Sequence, residues 1–240
     1  MDAPMPDFAY IEGCRSAFPA GTTLVGVIFI LLGLPTGLFA LASGLGLLPL
    51  PYQLFLVLQR TPIAFSLHMV ASGLALLLIL LLIPITLFVR DARRFHRAAG
   101  RMTAVCVVIG GATALPVALA SEATVAARAG LFMQGLVWLA LLVAAIAAIR
   151  RGNRALHARI MVAMVCVVSG AIWLRLVTAG AVEFNLPFDA AYAVGAWACW
   201  IVPLAIACAV TARITALRPR PSGTPMKENN AGSLNALSKS

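Results

Sequence analysis

The sequence predicts an all-α, polytopic transmembrane helix bundle of about six spans that contains a duplicated two-helix hairpin. Three observations predict it. Of 240 residues, 62% are hydrophobic and only 11% charged, whereas a soluble domain carries about 25% charge; such a chain cannot clothe itself in polar surface and belongs in a bilayer. The charges that do occur gather in short segments between long apolar runs. One of those segments, Arg90 to Arg101, returns sixty-one residues later, with Arg90, Arg93 and His96 answered by Arg151, Arg154 and His157. The run Val105–Ala112 is answered in the same way by Val165–Ala171, with small shifts in register.

Residues 1–20 form a mixed N-terminal lead-in. Asp2, Asp7 and Glu12 stand there against Arg15, so there is no basic start to a signal peptide. The transmembrane domain occupies residues 21–212. Its first span runs from Gly21 to about Leu48 with no charge, where about 20 residues suffice; Pro35 kinks it, and Pro49 and Pro51 end it. Residues 51–60 read as a short interfacial connector with Tyr52 and Gln59. The later spans are expected at 61–89, with Pro62 in the first turn, then 102–121 with a bend at Pro116, 129–149, 160–180 and 191–212. Residues 213–240, rich in Pro, Ser, Asn and Lys, read as a disordered cytoplasmic tail.

The net charge of +10 invites a nucleic-acid reading, but its distribution is that of a membrane protein. Lys and Arg number five in segment 90–101, four in 150–159 and five in the tail, whereas Arg60 and Arg128 stand alone on the other side and loop 181–190 has none. The positive-inside rule then places both termini in the cytoplasm of a multi-pass protein of the cell inner membrane. The basic segments suit anionic lipid head groups. Arg outnumbers Lys sixteen to two, the signature of a GC-rich bacterial genome. The five cysteines, four of them singly inside spans, form neither a disulfide framework nor a thiolate metal site.

Chemistry rests on few residues. His68, Gln134 and Arg175 fall at similar depth in the outer third of the bilayer. An arginine inside a span normally faces protein or water and needs partners; helix carbonyls, Gln134, Glu122 and Glu183 are in range by sequence. The three residues are either a self-contained lock on helix packing or an outer pocket for a small anion or a quinone-like head group, unless Arg175 snorkels to the surface. His96 and His157 are interfacial caps in basic turns, a symmetric inner pair of ligands, or groups that handle protons or substrate. Two imidazoles can ligate haem b or, with further ligands, another metal. Stretches such as Gly110-Gly111 and Ser169-Gly170 are small-residue surfaces for close helix approach.

Leu67-His68, His96-Arg97-x-x-Gly100-Arg101, Ile149-Arg150-x-Gly152-Asn153-x-x-x-His157, Leu174-Arg175-Leu176, Ala191-Tyr192 and Ala196-Trp197-x-Cys199-Trp200 occur in this order over residues 60–213. In that order and spacing the chain resembles the bacterial predicted membrane protein family known as domain of unknown function 2306. The resemblance implies the membrane fold and brings no activity with it. Family members usually have His-Arg at the second turn; here Ala158 follows His157. Three function classes fit the residues: a redox or small-molecule-binding membrane protein, a non-catalytic membrane subunit with structural polar residues, and a small transporter that would lack an ion-coupling carboxylate within its spans.

Overall fold

The structure, a computed structural model, describes residues 20–88 and 93–216. The lead-in before residue 20, Arg90 and the tail beyond residue 216 lie outside the described residues. Seven helices follow one another: α1 Ala20–Gly44, α2 Tyr52–Arg60, α3 Pro62–Phe88, α4 Arg93–Ala120, α5 Val125–Arg150, α6 Arg154–Glu183 and α7 Phe188–Ala216. All except α2 are long and apolar enough to cross a membrane, and the described residues contain no strand. At most 39% of any span's apolar window is buried inside the bundle. The rest is partly or wholly exposed, which is stable only where the surroundings are hydrocarbon.

Several boundaries differ from the sequence reading, and three of the differences have a clear local reason. The connector 51–60 is largely helical: Leu54, Val57 and Leu58 recur at helical spacing, and this face packs on Ala40, Phe65 and Met69. The basic segment 90–101 is helical from Arg93, so His96 lies in the first turn of α4 rather than in a turn between helices. Charged residues do not stop a helix, and Ala99 is buried with its carbonyl accepting from the Thr103 hydroxyl at 2.9 Å. The second basic turn shrinks to three residues, 151–153. Gly152 takes φ of +73°, where a side chain is strained, and the Asn153 side chain caps α6 by accepting from Leu156 N at 2.9 Å. Thr124 caps α5 in the same way, accepting from Ala127 N.

Successive spans pack antiparallel along glycines. A Cβ added at Gly33, Gly37 or Gly44 of α1 would meet Leu80, Leu77 and Val70 of α3 respectively, in reverse order. A Cβ at Gly111 of α4 would meet Leu139 of α5, and one at Gly195 of α7 would meet Leu174 of α6. The two repeated hairpins, α3–α4 and α5–α6, use their matching glycines alike. At Gly110 a Cβ would lie 2.7 Å from the Ser72 hydroxyl of α3, and at Gly170 it would lie 2.5 Å from the Gln134 amide of α5. One apolar core joins α3 to α7 around Leu76, Val107, Trp138 and Val167.

Gly73 tests the importance of close approach most sharply, because a Cβ there would sit 2.9 Å from the Gly37 carbonyl oxygen and 3.0 Å from Leu41 N, both backbone atoms that cannot rotate away. Gly73→Ala should destabilise the protein by about 1–3 kcal/mol, read as a lower thermal midpoint in detergent. Gly100→Ala, with nothing within 4 Å of the new methyl, should cause no loss.

Candidate functional site

His68 lies in the second turn of α3, half-buried. Its Nδ1 is 2.9 Å from the Gly110 carbonyl oxygen of α4, with the Ser72 hydroxyl at 3.3 Å from the same nitrogen. A carbonyl only accepts, so Nδ1 carries the hydrogen. In the neutral ring Nε2 is then a bare acceptor, and no described residue occupies it.

Arg175 of α6 is half-buried and donates from Nη1 to the Ala171 carbonyl at 2.8 Å. Ala171 is one turn nearer the helix N-terminus, so the guanidinium turns back into the bundle rather than out toward the adjacent surface, as a snorkelling arginine would. Its Cζ stands 5.4 Å from the centre of the Phe39 ring of α1. His68 and Tyr192 of α7 are both within its electrostatic range. Tyr192 is held by its stack on Phe188, with ring centres 5.8 Å apart and planes 11° from parallel. Side chains from α1, α3, α6 and α7 thus converge around one positive charge.

No carboxylate among the described residues balances it. Glu122 pairs instead with Arg60, which also donates to the Ala120 carbonyl at 3.0 Å and ties the end of α2 to the end of α4. Glu183 and Asp189 are exposed near the ends of α6 and α7.

Of the three residues grouped by depth in the sequence, His68 and Arg175 interact electrostatically, and Gln134 stands apart from them. Gln134 serves the other hairpin: its amide donates to the Val167 carbonyl at 2.9 Å and lies on Gly170. His96 is exposed on α4, while half-buried His157 on α6 holds its Nδ1 3.0 Å from the Ala145 carbonyl oxygen. Helices α4 and α6 do not form a packed pair. Nor do three or more of His, Cys, Asp and Glu gather anywhere among the described residues.

Sequence reasoning missed Phe39 and Tyr192 as members of the cluster. An aromatic in an apolar span carries no signal of its own. Tyr192 lies in the second turn of α7, nearer the α6–α7 loop than Arg175, so depth did not single it out either. Among the described residues, two buried polar atoms, Ser43 Oγ and Trp138 Nε1, have no hydrogen-bond partner.

The family model described as "Predicted membrane protein (DUF2306)" matches residues 65–211, which covers α4 to α6 whole and most of α3 and α7. The chain belongs to this family. The match includes His68, Arg175 and Tyr192 and excludes Phe39. No curated protein and no solved structure matches the chain.

Two outcomes follow from this geometry. Nitrogen-15 spectra of His68 should show a protonated Nδ1 and an unprotonated Nε2; the reverse pattern would contradict the Gly110 bond. Gln134→Leu should cost about 0.5–1.5 kcal/mol in stability, the range for a polar contact between membrane helices, measured by thermal unfolding.

Proposed function

We propose that the chain is a small-molecule-binding protein of the cell inner membrane, with both termini in the cytoplasm. Its site is the cluster of Arg175, His68 and Tyr192 in the outer half of the bundle. The ligand is a small anion or a quinone-like head group. One observation carries this reading: Arg175 turns its guanidinium into the bundle, and no carboxylate among the described residues pairs with it. A charge in that position is costly unless an opposing charge or a dense set of acceptors meets it. One backbone carbonyl and one aromatic face leave most of its donors available to a ligand.

The bare Nε2 of His68 adds an acceptor beside the cation, so the pocket offers a ligand both signs of polarity. Gln134 falls outside this reading, because its amide is used in holding α5 to α6. The basic segments on α4 and α6 supply the cytoplasmic charge that orients the chain and that would attract anionic lipid head groups. For His96 and His157, an inner haem pair would need α4 and α6 to meet near their starts, and His157 Nε2 is the ring nitrogen left to serve as ligand.

The test is native mass spectrometry of the full chain extracted in mild detergent. The wild-type protein should retain a bound molecule that Arg175→Gln loses and Arg175→Lys keeps at reduced occupancy. Equal retention by all three would sink the assignment of Arg175. To check orientation, a reporter fused after Ser240 should read as cytoplasmic.

A further inference from the structure

The proposed site leaves open whether its ligand arrives from water or from the membrane, and the packing around it bears on that question. Helices α3 and α6, which carry His68 and Arg175, do not approach as a packed pair. Helix α1 stands across the gap. It packs broadly on α3 but touches α6 over only a few residues, with Gly33 against both Leu80 and Ile172 and Phe39 beneath the Arg175 guanidinium. The seam between α1 and α6 is therefore the weakest wall of the site.

The path from the adjacent aqueous face is closed differently. There α2 lays Leu54, Val57 and Leu58 onto Ala40, Phe65 and Met69, an apolar plug over the ends of α1, α3 and α4. Arg60 holds the end of α2 in place through Glu122 and the Ala120 carbonyl. A hydrated anion would have to part with its water to pass such a plug. Beside the seam, α6 shows Trp173 and Leu176 to the surroundings, so the seam opens onto an apolar exterior.

A second observation points to the same seam. Thr36, Phe39 and Ser43 recur at i, i+3 and i+7 along one stripe of α1, the stripe that meets Arg175 through Phe39. The buried hydroxyls of Thr36, Thr103 and Ser169 each bond back to a carbonyl of their own helix. Ser43 Oγ, at 3% exposure, bonds to no described residue. A buried hydroxyl without a partner is costly, and this one sits one turn from the aromatic ring that touches the cation.

We infer that the ligand of the Arg175 site is an amphiphile dissolved in the bilayer, which enters between α1 and α6 and carries a head group with both a hydroxyl and a second oxygen. The second oxygen accepts from the guanidinium of Arg175. The hydroxyl donates to Nε2 of His68, the tautomer fixed by Gly110. Ser43 meets the ligand along the α1 wall. The inference rests on the proposed function of this site. An alkylated quinol and a protonated fatty acid share the required head-group chemistry.

The experiment measures dissociation constants for four probes on the purified full chain in nanodiscs: decylubiquinol, oleic acid and the tail-less hydroquinone and acetic acid. At least one tailed probe should bind about 10-fold or more tightly than its tail-less counterpart, and the better of the two identifies the source. Arg175→Gln should weaken that binding roughly 10-fold, as expected for a lost charge-assisted bond. Ser43→Ala should weaken it about 2- to 10-fold, the range for one hydrogen bond. Arg175-dependent binding that is indifferent to the tail would overturn entry from the bilayer and leave the site standing. Binding of tailed probes that ignores Arg175, or no binding by any probe, would overturn the site itself. If Arg175→Gln does not accumulate, Arg175→Lys takes its place, and unchanged affinity in Ser43→Ala would remove α1 from the route.

Discussion

In hydrocarbon a helix gains nothing by exchanging a lipid neighbour for an apolar helix, so the bundle depends on backbones coming close enough for dispersion and polar contacts to outweigh the lipid they displace. The glycines meet that constraint. Gly37 and Gly73 bring α1 and α3 to within a methyl's breadth, Gly110 and Gly111 admit α3 and α5 to α4, and Gly130 brings α5 against the Ala196 carbonyl of α7. Where a side chain is longer, it is accommodated by a glycine opposite, as Ser72 is by Gly110 and Gln134 by Gly170. The duplicated hairpin thus shows itself less in matching contacts than in a matching device, a small residue on the second helix receiving a polar side chain from the first.

Against that background most polar groups in the spans are satisfied locally. Hydroxyls return to carbonyls one turn back, Gln134 closes on Val167, and Trp197 and Trp200 donate to Ala126 and Ala196. The exceptions define the proposed site. Arg175 holds a charge that no described carboxylate balances, His68 keeps one nitrogen open, and Ser43 has no partner. Trp138 Nε1 is unsatisfied too, but it lies in the apolar core between the hairpins, its ring edge against Gly110. Polar groups left incomplete in a low-dielectric interior are where a ligand gains most, because it brings the partners the fold withholds.

The fold was legible in the sequence because the signals that set it are long-range averages: apolar runs of twenty residues and more, and basic segments between them. The boundaries were less legible. The start of α4 at Arg93 and the helicity of α2 depend on which face of a short segment meets the core, which charge and proline content do not reveal. His68 and Arg175 stood out because polar residues are rare in spans. Depth alone grouped Gln134 with them, but rotation about the helix axis sends Gln134 to Val167 instead. Phe39 and Ser43 were silent, since an aromatic and a small hydroxyl in an apolar helix usually serve packing.

The central claim is that the fold tolerates Arg175 for the sake of a ligand rather than using it for packing. The most direct measurement is the thermal midpoint of the ligand-free protein carrying Arg175→Met. Met keeps the length and apolar stem of the side chain and removes the uncompensated charge, giving up one carbonyl bond and the contact with Phe39. The midpoint should stay within about 2 °C of wild type or rise, because the desolvation cost goes with the charge. A fall of roughly 6 °C or more, equivalent to the loss of about 2–3 kcal/mol in a domain of this size, would mean that the guanidinium holds the helices together and would contradict the account.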